Sequence, residues 1–477
     1  MAIDIAHLDA PPDLLFAPPA TQLEHSRVTE LDARGAGRRP LPATRDLLKG
    51  APFVVDFCDP TPTTALHVGY LRNIALGHAL ASTLEAAGAH VARQTQIADA
   101  GRDMGEAMAG YLRYSRESDP AETGEKSDRF VGRLYANRVQ GDDRDDDGLC
   151  DLQLALLAAG DRQTHALWHA VRDWAVSGQN ETLARLGVRF ERTIFDSQYV
   201  PRIEPLVRLA LAQGVIGGSL GGPLVFETNG RTPVHLPLID ADGRPTKDLR
   251  ALTIWRSLMT EMTDVTLVRL TSEERRDNLD EILRGLAPGG KVYPTAVLHA
   301  EVVTDQDVGP SGESTLLIDD LLDMLLEHER LRELAIEQRA GCAAQDLAAM
   351  VLMGMCLDHP LHESLPITAA RVLDGENTGW TFARAWMKAW DPRNDGGPLP
   401  LADDEHYRSL VAQSQLLPLV DRAVKGLDGL RLVRFLARIG NWYLSTETDP
   451  AVGRIMRSLL SSGLGSLGLI RIQEVNS

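Results

Sequence analysis

The chain has 477 residues, a formal net charge of -18, an apolar share of 44% and four cysteines. At roughly 100–200 residues per domain the length suggests two or three domains, and the apolar share excludes a globally disordered chain. The acid excess excludes indiscriminate attraction of nucleic acid by the whole surface, while Cys58, Cys150, Cys342 and Cys356 form no C-x-x-C pair, which excludes a zinc ribbon and fits a reducing compartment.

Residues 1–50 are rich in Pro and Arg and read as an N-terminal arm, closed by a short helix at Ala43–Leu48. Met1–Ala10 has neither a basic segment nor an apolar stretch, so no signal peptide is expected. No apolar run approaches the ~18 residues of a membrane span. The expectation is a cytoplasmic protein with no membrane partner. Next, Pro52–Phe57 is a short apolar run that predicts a strand. A Pro- and Thr-rich loop follows, then a helical pattern over Val68–Ala87 stopped by Gly88, then a second strand at His90–Ile97. Strand, loop, helix, strand is the pattern of a parallel βαβ unit.

An insertion is expected around residues 106–175. Its acidic run Gly141–Cys150 reads as a solvated loop before a helix beginning near Leu152. His165 and His169 have helical spacing but lack an H-E-x-x-H pattern, so no metal site is expected. Ile203–Ala212 predicts a helix, and Pro223–Glu227 with Thr232–Pro237 a hairpin. Val265–Leu270 and Tyr293–Val303 predict strands around a helix at Ser272–Leu286. After Ser314 the pattern is persistently helical. The composition therefore divides the chain into an arm at 1–50, an α/β domain at 51–313 and an all-helical domain at 314–477.

The sharpest local signal is Asp59-Pro60-Thr61-Pro62-Thr63-Thr64-Ala65-Leu66-His67-Val68-Gly69-Tyr70. It lies beyond the C-terminal end of a strand, where open α/β sheets bind ligands. A glycine at a helix start admits close backbone approach, the helix N-terminus favours negative charge, and a histidine can donate a hydrogen bond. These features suit a phosphate site at His67 and Gly69, within a nucleotide-binding loop whose candidates are Asp59, Pro60, Thr61, Thr64, His67 and Gly69.

The run VVDFCDPTPTTALHVGYLRNIALGHAL resembles the first signature of arginyl-tRNA synthetases, in which a Val-Val-Asp strand leads to an H-x-G-H motif and a helix. Further stretches resemble family landmarks in order: Asp99–Gly105, Leu186–Phe190, Gly222–Phe226, Asp242–Thr246 and Arg371–Thr378. Leu432–Leu469 resembles the anticodon-binding bundle. The resemblance implies a Rossmann-type nucleotide-binding domain followed by an anticodon-binding-like helical domain. It also implies ATP, with Mg as its companion, an amino acid or related small molecule, and tRNA as ligands. The family's N-terminal tRNA-elbow domain is expected to be missing or reduced to the first fifty residues.

Several family residues are replaced. Tyr70 stands where H-x-G-H ends, and a phenol cannot become cationic near neutral pH. The lysine that many relatives carry before the motif falls near Thr64. The second signature falls at Asp307–Ser314, a Gly/Pro loop with Ser311 and no lysine. Removing a preorganised charge-stabilising group typically costs about 10²–10³ in rate. In the amino-acid pocket, which the resemblance places at Asp99 and the helix after Thr246, the family's Tyr and Asp align with Lys247 and Ala251. Asp248 lies one position from a simple alignment. A guanidinium buried beside Lys247 would be strongly unfavourable.

The segment Val420–Ser477 holds eight cations against five acids, and Arg431, Arg434 and Arg438 share one helix side. That side is a candidate tRNA face, while Leu432, Phe435, Leu436 and Ile439 form a core stripe. Three functional readings follow: a ligase with changed amino-acid specificity, a synthetase-derived binding module, and an ordinary arginine–tRNA ligase.

Overall fold

The computed structural model describes residues 47–140, 148–218, 224–227, 235–239, 243–261, 265–271, 282, 286, 295–299, 302–303, 316–336, 342–361, 363, 365–395, 416, 418–447 and 449–470. The first half opens with β1 (Pro52–Asp56), α1 (Val68–Ala86) and β2 (His90–Ile97), the expected parallel unit. Helices α2 (Arg102–Tyr114), α3 (Ser127–Gln140), α4 (Leu149–Ala158) and α5 (Arg162–Arg185) precede β3 (Arg192–Phe195). Helix α4 starts one turn earlier than Leu152 because Gly148, at φ +58°, turns the chain directly into it.

Helix α6 (Ile203–Ala212) leads into an antiparallel sheet of β4 (Gly217–Gly218), β5 (Leu224–Glu227) and β6 (His235–Ile239). Then come α7 (Lys247–Glu261), β7 (Thr266–Thr271), β8 (Thr295–His299) and β9 (Val302–Val303). The expected strand Tyr293–Val303 is thus two strands, because β9 pairs with β10 (Leu365–Pro366) and not with the main sheet. The helical half comprises α8 (Ile318–Glu327), α9 (Glu329–Ile336), α10 (Ala344–Leu357), α11 (Ala369–Leu373), α12 (Thr378–Ala389), α13 (Leu430–Ser445) and α14 (Pro450–Ser466).

The main sheet is parallel with order β3-β2-β1-β7-β8. Strand order reverses between β1 and β7, which opens a crevice at their carboxyl ends. Of the helix expected at Ala43–Leu48, Leu47 and Leu48 form a bend, and residues 43–46 lie outside the described residues. Nearly all of the expected helix Ser272–Leu286, and the loop Asp307–Ser314 with Ser311, also lie outside them.

Helix α1 is buried on most of its sides between Val68 and Leu84, the polar Arg72, His78, Ser82 and Thr83 included. One continuous core joins Val55, Phe57 and Val268 of the sheet region, the α1 side chains, and Leu321, Met350, Phe382, Leu436 and Leu460 of the helical half. Polar stitches reinforce this. The buried Arg72 guanidinium donates to the carbonyls of Glu363 and Pro360, both at 2.6 Å, and of His359 at 3.3 Å. Thr83 donates to Ser466 O at 2.9 Å, and His78 Nε2 lies 3.1 Å from Gly468 O. Among the described residues no helix is long and apolar enough to cross a membrane.

Candidate nucleotide and amino-acid site

The loop after β1 turns sharply, with Cys58 at φ +79° and Asp59 at φ +46°. Non-glycine residues in the left-handed region cost of order 1–3 kcal/mol each and persist only when their surroundings hold them. Here Asn73 of α1 accepts from the Cys58 amide and donates to Leu270 O, tying the loop to β7. Asp59 Oδ1 accepts from Gln96 N at 3.1 Å. Farther along the loop, the buried Gln179 of α5 donates from Nε2 to the carbonyls of Thr61 and Thr64, both at 2.8 Å.

His67 is the N-cap of α1, and its Nδ1 accepts from Gly69 N at 3.1 Å. A side chain at position 69 would collide with that ring, since a Cβ there would lie 2.7 Å from His67 Cε1. The H-x-G spacing is therefore a capping device: glycine makes room for the histidine to fold back over the first turn. Because Nδ1 is an acceptor, the neutral ring carries its proton on Nε2. Burial pushes the imidazole pKa down, so the neutral donor form is favoured.

The expectation that amides at this helix start would meet a phosphate needs correction. Val68 N donates to Leu316 O and Tyr70 N to His67 O, both at 3.0 Å, while Gly69 N is held by the His67 ring. The first-turn amides are thus engaged within the chain. Tyr70 is half-buried, its ring 4.6 Å from that of His67, and its hydroxyl accepts from Thr61 N at a long 3.5 Å. It braces the loop.

Each of the first three parallel strands is followed within three residues by a buried or half-buried aspartate: Asp59, Asp99 and Asp196. All three stand beside cations of the chain itself. Arg269 of β7 lies 3.3 Å from Asp56 and 3.8 Å from Asp59, its guanidinium stacked on Trp255. Asp99 accepts from Ser197 N at 2.9 Å and Ser197 Oγ at 2.8 Å, with Arg172 Nη1 at 3.5 Å. Asp196 accepts from Gln96 Nε2 at 3.0 Å and from Arg250 Nε at 2.9 Å. Burial and the neighbouring Asp59 lift the Asp56 pKa to about 7, and Arg269 offsets only part of this. Burial likewise raises Asp59, while Arg269 and Lys247 pull it down. Burial also raises Asp99 against the hydrogen bonds from Ser197.

Of the residues the sequence singles out, Asp59, Thr61, Thr64, His67, Gly69 and Tyr70 share the β1–α1 loop and the start of α1, and Lys247 acts electrostatically on Asp59. Asp248 is half-buried in the first turn of α7, and Ala251 packs against the apolar cluster of Ile194, Leu206 and Leu258. Its neighbour Arg250 reaches Asp196 at the end of β3. Arg431, Arg434 and Arg438 are exposed on α13 while Leu432, Leu436 and Ile439 are buried, and Arg434 approaches Asp358 at 3.4 Å. Sequence reading missed Gln179, Asp196, Arg172, Arg250 and Arg269. Only Asp196 had a local signal, its position one residue beyond a strand end.

The sheet order and the strand-end loop define a class I synthetase-type nucleotide-binding fold. Residues 45–276 match the family of tRNA synthetases class I (R), catalytic domain. It is 35% identical over 172 residues to an arginine–tRNA ligase of Treponema pallidum, covering 35% of this chain and 29% of the relative. Against the arginine–tRNA ligase of Amoebophilus asiaticus it is 26% identical over 330 residues, covering 63% of this chain and 55% of that one. The chain thus matches between about a third and just over half of these curated relatives' length. The solved arginyl-tRNA synthetase of Thermus thermophilus shares the fold with a TM-score of 0.72 at 18% identity, over 94% of this chain and 86% of that one.

Proposed function

We propose that the chain is an ATP-dependent, synthetase-like ligase that activates an amino acid, or a related carboxylic acid, other than arginine. The observation that carries this reading is the state of the strand-end carboxylates. Asp56, Asp99 and Asp196 are fully buried as side chains and each stands beside an arginine of the chain. An incoming guanidinium would have to displace a resident one, and Lys247 adds a further cation near Asp59. Such a setting favours a neutral or anionic ligand side chain over a cationic one.

In this reading the substrate carboxylate attacks the α-phosphorus of ATP and pyrophosphate leaves. His67 donates from Nε2 to a phosphate oxygen, and the braced Thr61–Thr64 loop positions the nucleotide. Asp307–Ser314 carries no lysine to share that task. The same feature favours a second reading, a non-catalytic module that holds tRNA through Arg431, Arg434 and Arg438. Ordinary arginine ligation is what the names of the curated relatives suggest.

Exchange of labelled pyrophosphate into ATP, with and without tRNA and across all amino acids, separates the three. Exchange with a non-cationic amino acid supports the proposal. Exchange with arginine at a rate typical of the family overturns it. No exchange, together with tRNA binding that weakens by about 0.7–0.9 log units per log unit of salt for each phosphate contact, establishes the binding module.

A further inference from the structure

We propose that Arg250 is a specificity-determining residue that acts as a built-in occupant of a guanidinium seat, and thereby closes the site to cationic substrates. The proposal rests on the reading of the strand-end crevice given above and names the side chain responsible. Three independent features make the seat. Asp196, just beyond β3 and fully buried as a side chain, takes Arg250 Nε at 2.9 Å. The carbonyl of Pro245 takes Nη1 at 2.7 Å. Gly101, at φ +107°, forms the third wall, and a Cβ there would lie 3.1–3.3 Å from Nη1, Nη2 and Cζ of the guanidinium. A carboxylate, a carbonyl and a bare glycine backbone converge on one planar cation from three separate segments of chain.

Their chemistry is general for guanidinium, which presents a planar fork of donors, and poor for an ammonium, which does not. Arg250 arrives from α7, one residue before Ala251, the position the sequence aligns with the family's carboxylate. The helix therefore delivers a cation to the carboxylate at the end of β3, one residue from that position. Truncating Arg250 would leave the Asp196 carboxylate buried without its cation, a vacancy that a small guanidinium compound can fill.

The test is chemical rescue. Arg250→Ala is compared with the parent for stabilisation by N-ethylguanidinium, agmatine and L-arginine, with ethylammonium and N-ethylurea as controls. The expected result is a rise in Tm of Arg250→Ala with the guanidinium compounds only, at least tenfold weaker stabilisation of the parent, and loss of the effect in Arg250→Ala/Asp196→Asn. Should Arg250→Ala fail to fold alone, refolding in N-ethylguanidinium is the readout, and recovery of soluble protein supports the seat. Equal response of parent and variant, rescue by ethylammonium, or no rescue in either format overturns it. Amino-acid exchange plays no part in this readout, so its failure would sink the proposed activity and leave the seat to stand or fall separately.

Discussion

Gln179 sends one side-chain nitrogen to two loop carbonyls, at Thr61 and Thr64, and is itself buried. Replacing it by leucine removes both donors and leaves buried acceptors behind, an expected loss of about 2 kcal/mol on denaturant unfolding. The loop it holds is the proposed nucleotide cradle, so ATP affinity should fall with it. Unchanged ATP binding in a destabilised Gln179→Leu protein would detach the loop from the nucleotide. Asp56 makes a prediction of opposite character. Its carboxyl is lifted from 3.8 to about 7, chiefly by burial. The folded state therefore binds this proton more tightly than the unfolded chain. The stability it contributes is present below about pH 4 and is lost as pH rises towards about 7. Asp56→Asn cannot ionise, so it should flatten that decline and gain most over the parent at pH 8. Urea midpoints from pH 5 to 8 that run parallel in parent and variant would refute the assignment.

At the level of elements, Gly379 sets two rules against each other. Alanine is the better helix former by about 1 kcal/mol, yet a Cβ at 379 would lie 1.9 Å from the Val351 carbonyl oxygen of the neighbouring α10. That atom is backbone and cannot swing aside, so α12 would have to retreat from α10. Gly379→Ala should therefore destabilise by roughly 1–3 kcal/mol. A variant with unchanged or higher Tm would show that the two helices have slack. The elements themselves were largely legible in the sequence. Val68–Ala86, His90–Ile97 and Ile203–Ala212 are runs bounded by glycine or loop residues, and local chemistry suffices to read them. The His67–Gly69 spacing was legible as a motif, but its physical meaning was not, because a ring folded onto a glycine is a three-dimensional fact. The pocket was least legible. Arg250 meets Asp196 across 54 residues and Arg172 meets Asp99 across 73, and no periodicity records such pairings. Alignment with the family pointed to Ala251, and one step of helix, about 100° of rotation, separates that position from the residue that reaches the crevice.

Across the whole molecule, the secondary structure is mixed up to β9 and mainly helical from α8 onward, while one core runs through the change. Helix α1 belongs to both halves. It closes the first crossover of the sheet, and it is also packed and hydrogen-bonded by residues near the other end of the chain. Charged pairs strengthen the same junction: Lys126 lies 2.7 Å and Arg185 2.7 Å from Asp319 of α8, and Arg129 lies 2.7 Å from Asp320. This arrangement has a consequence for the order in which the protein can be made. His78 and Thr83 wait for partners 390 and 383 residues downstream. At the usual rate of 5–20 residues per second, α1 emerges from the ribosome roughly 20–80 s before its last wall exists. Until then the part of α1 around His78 and Thr83 lacks its C-terminal wall. Ribosome-bound chains stalled before α14 should be cut by protease within α1, and full-length chains tethered through an added C-terminal linker long enough to carry Leu469 out of the exit tunnel should resist. Equal resistance of the two would mean that the crossover completes its burial without the C-terminal helix.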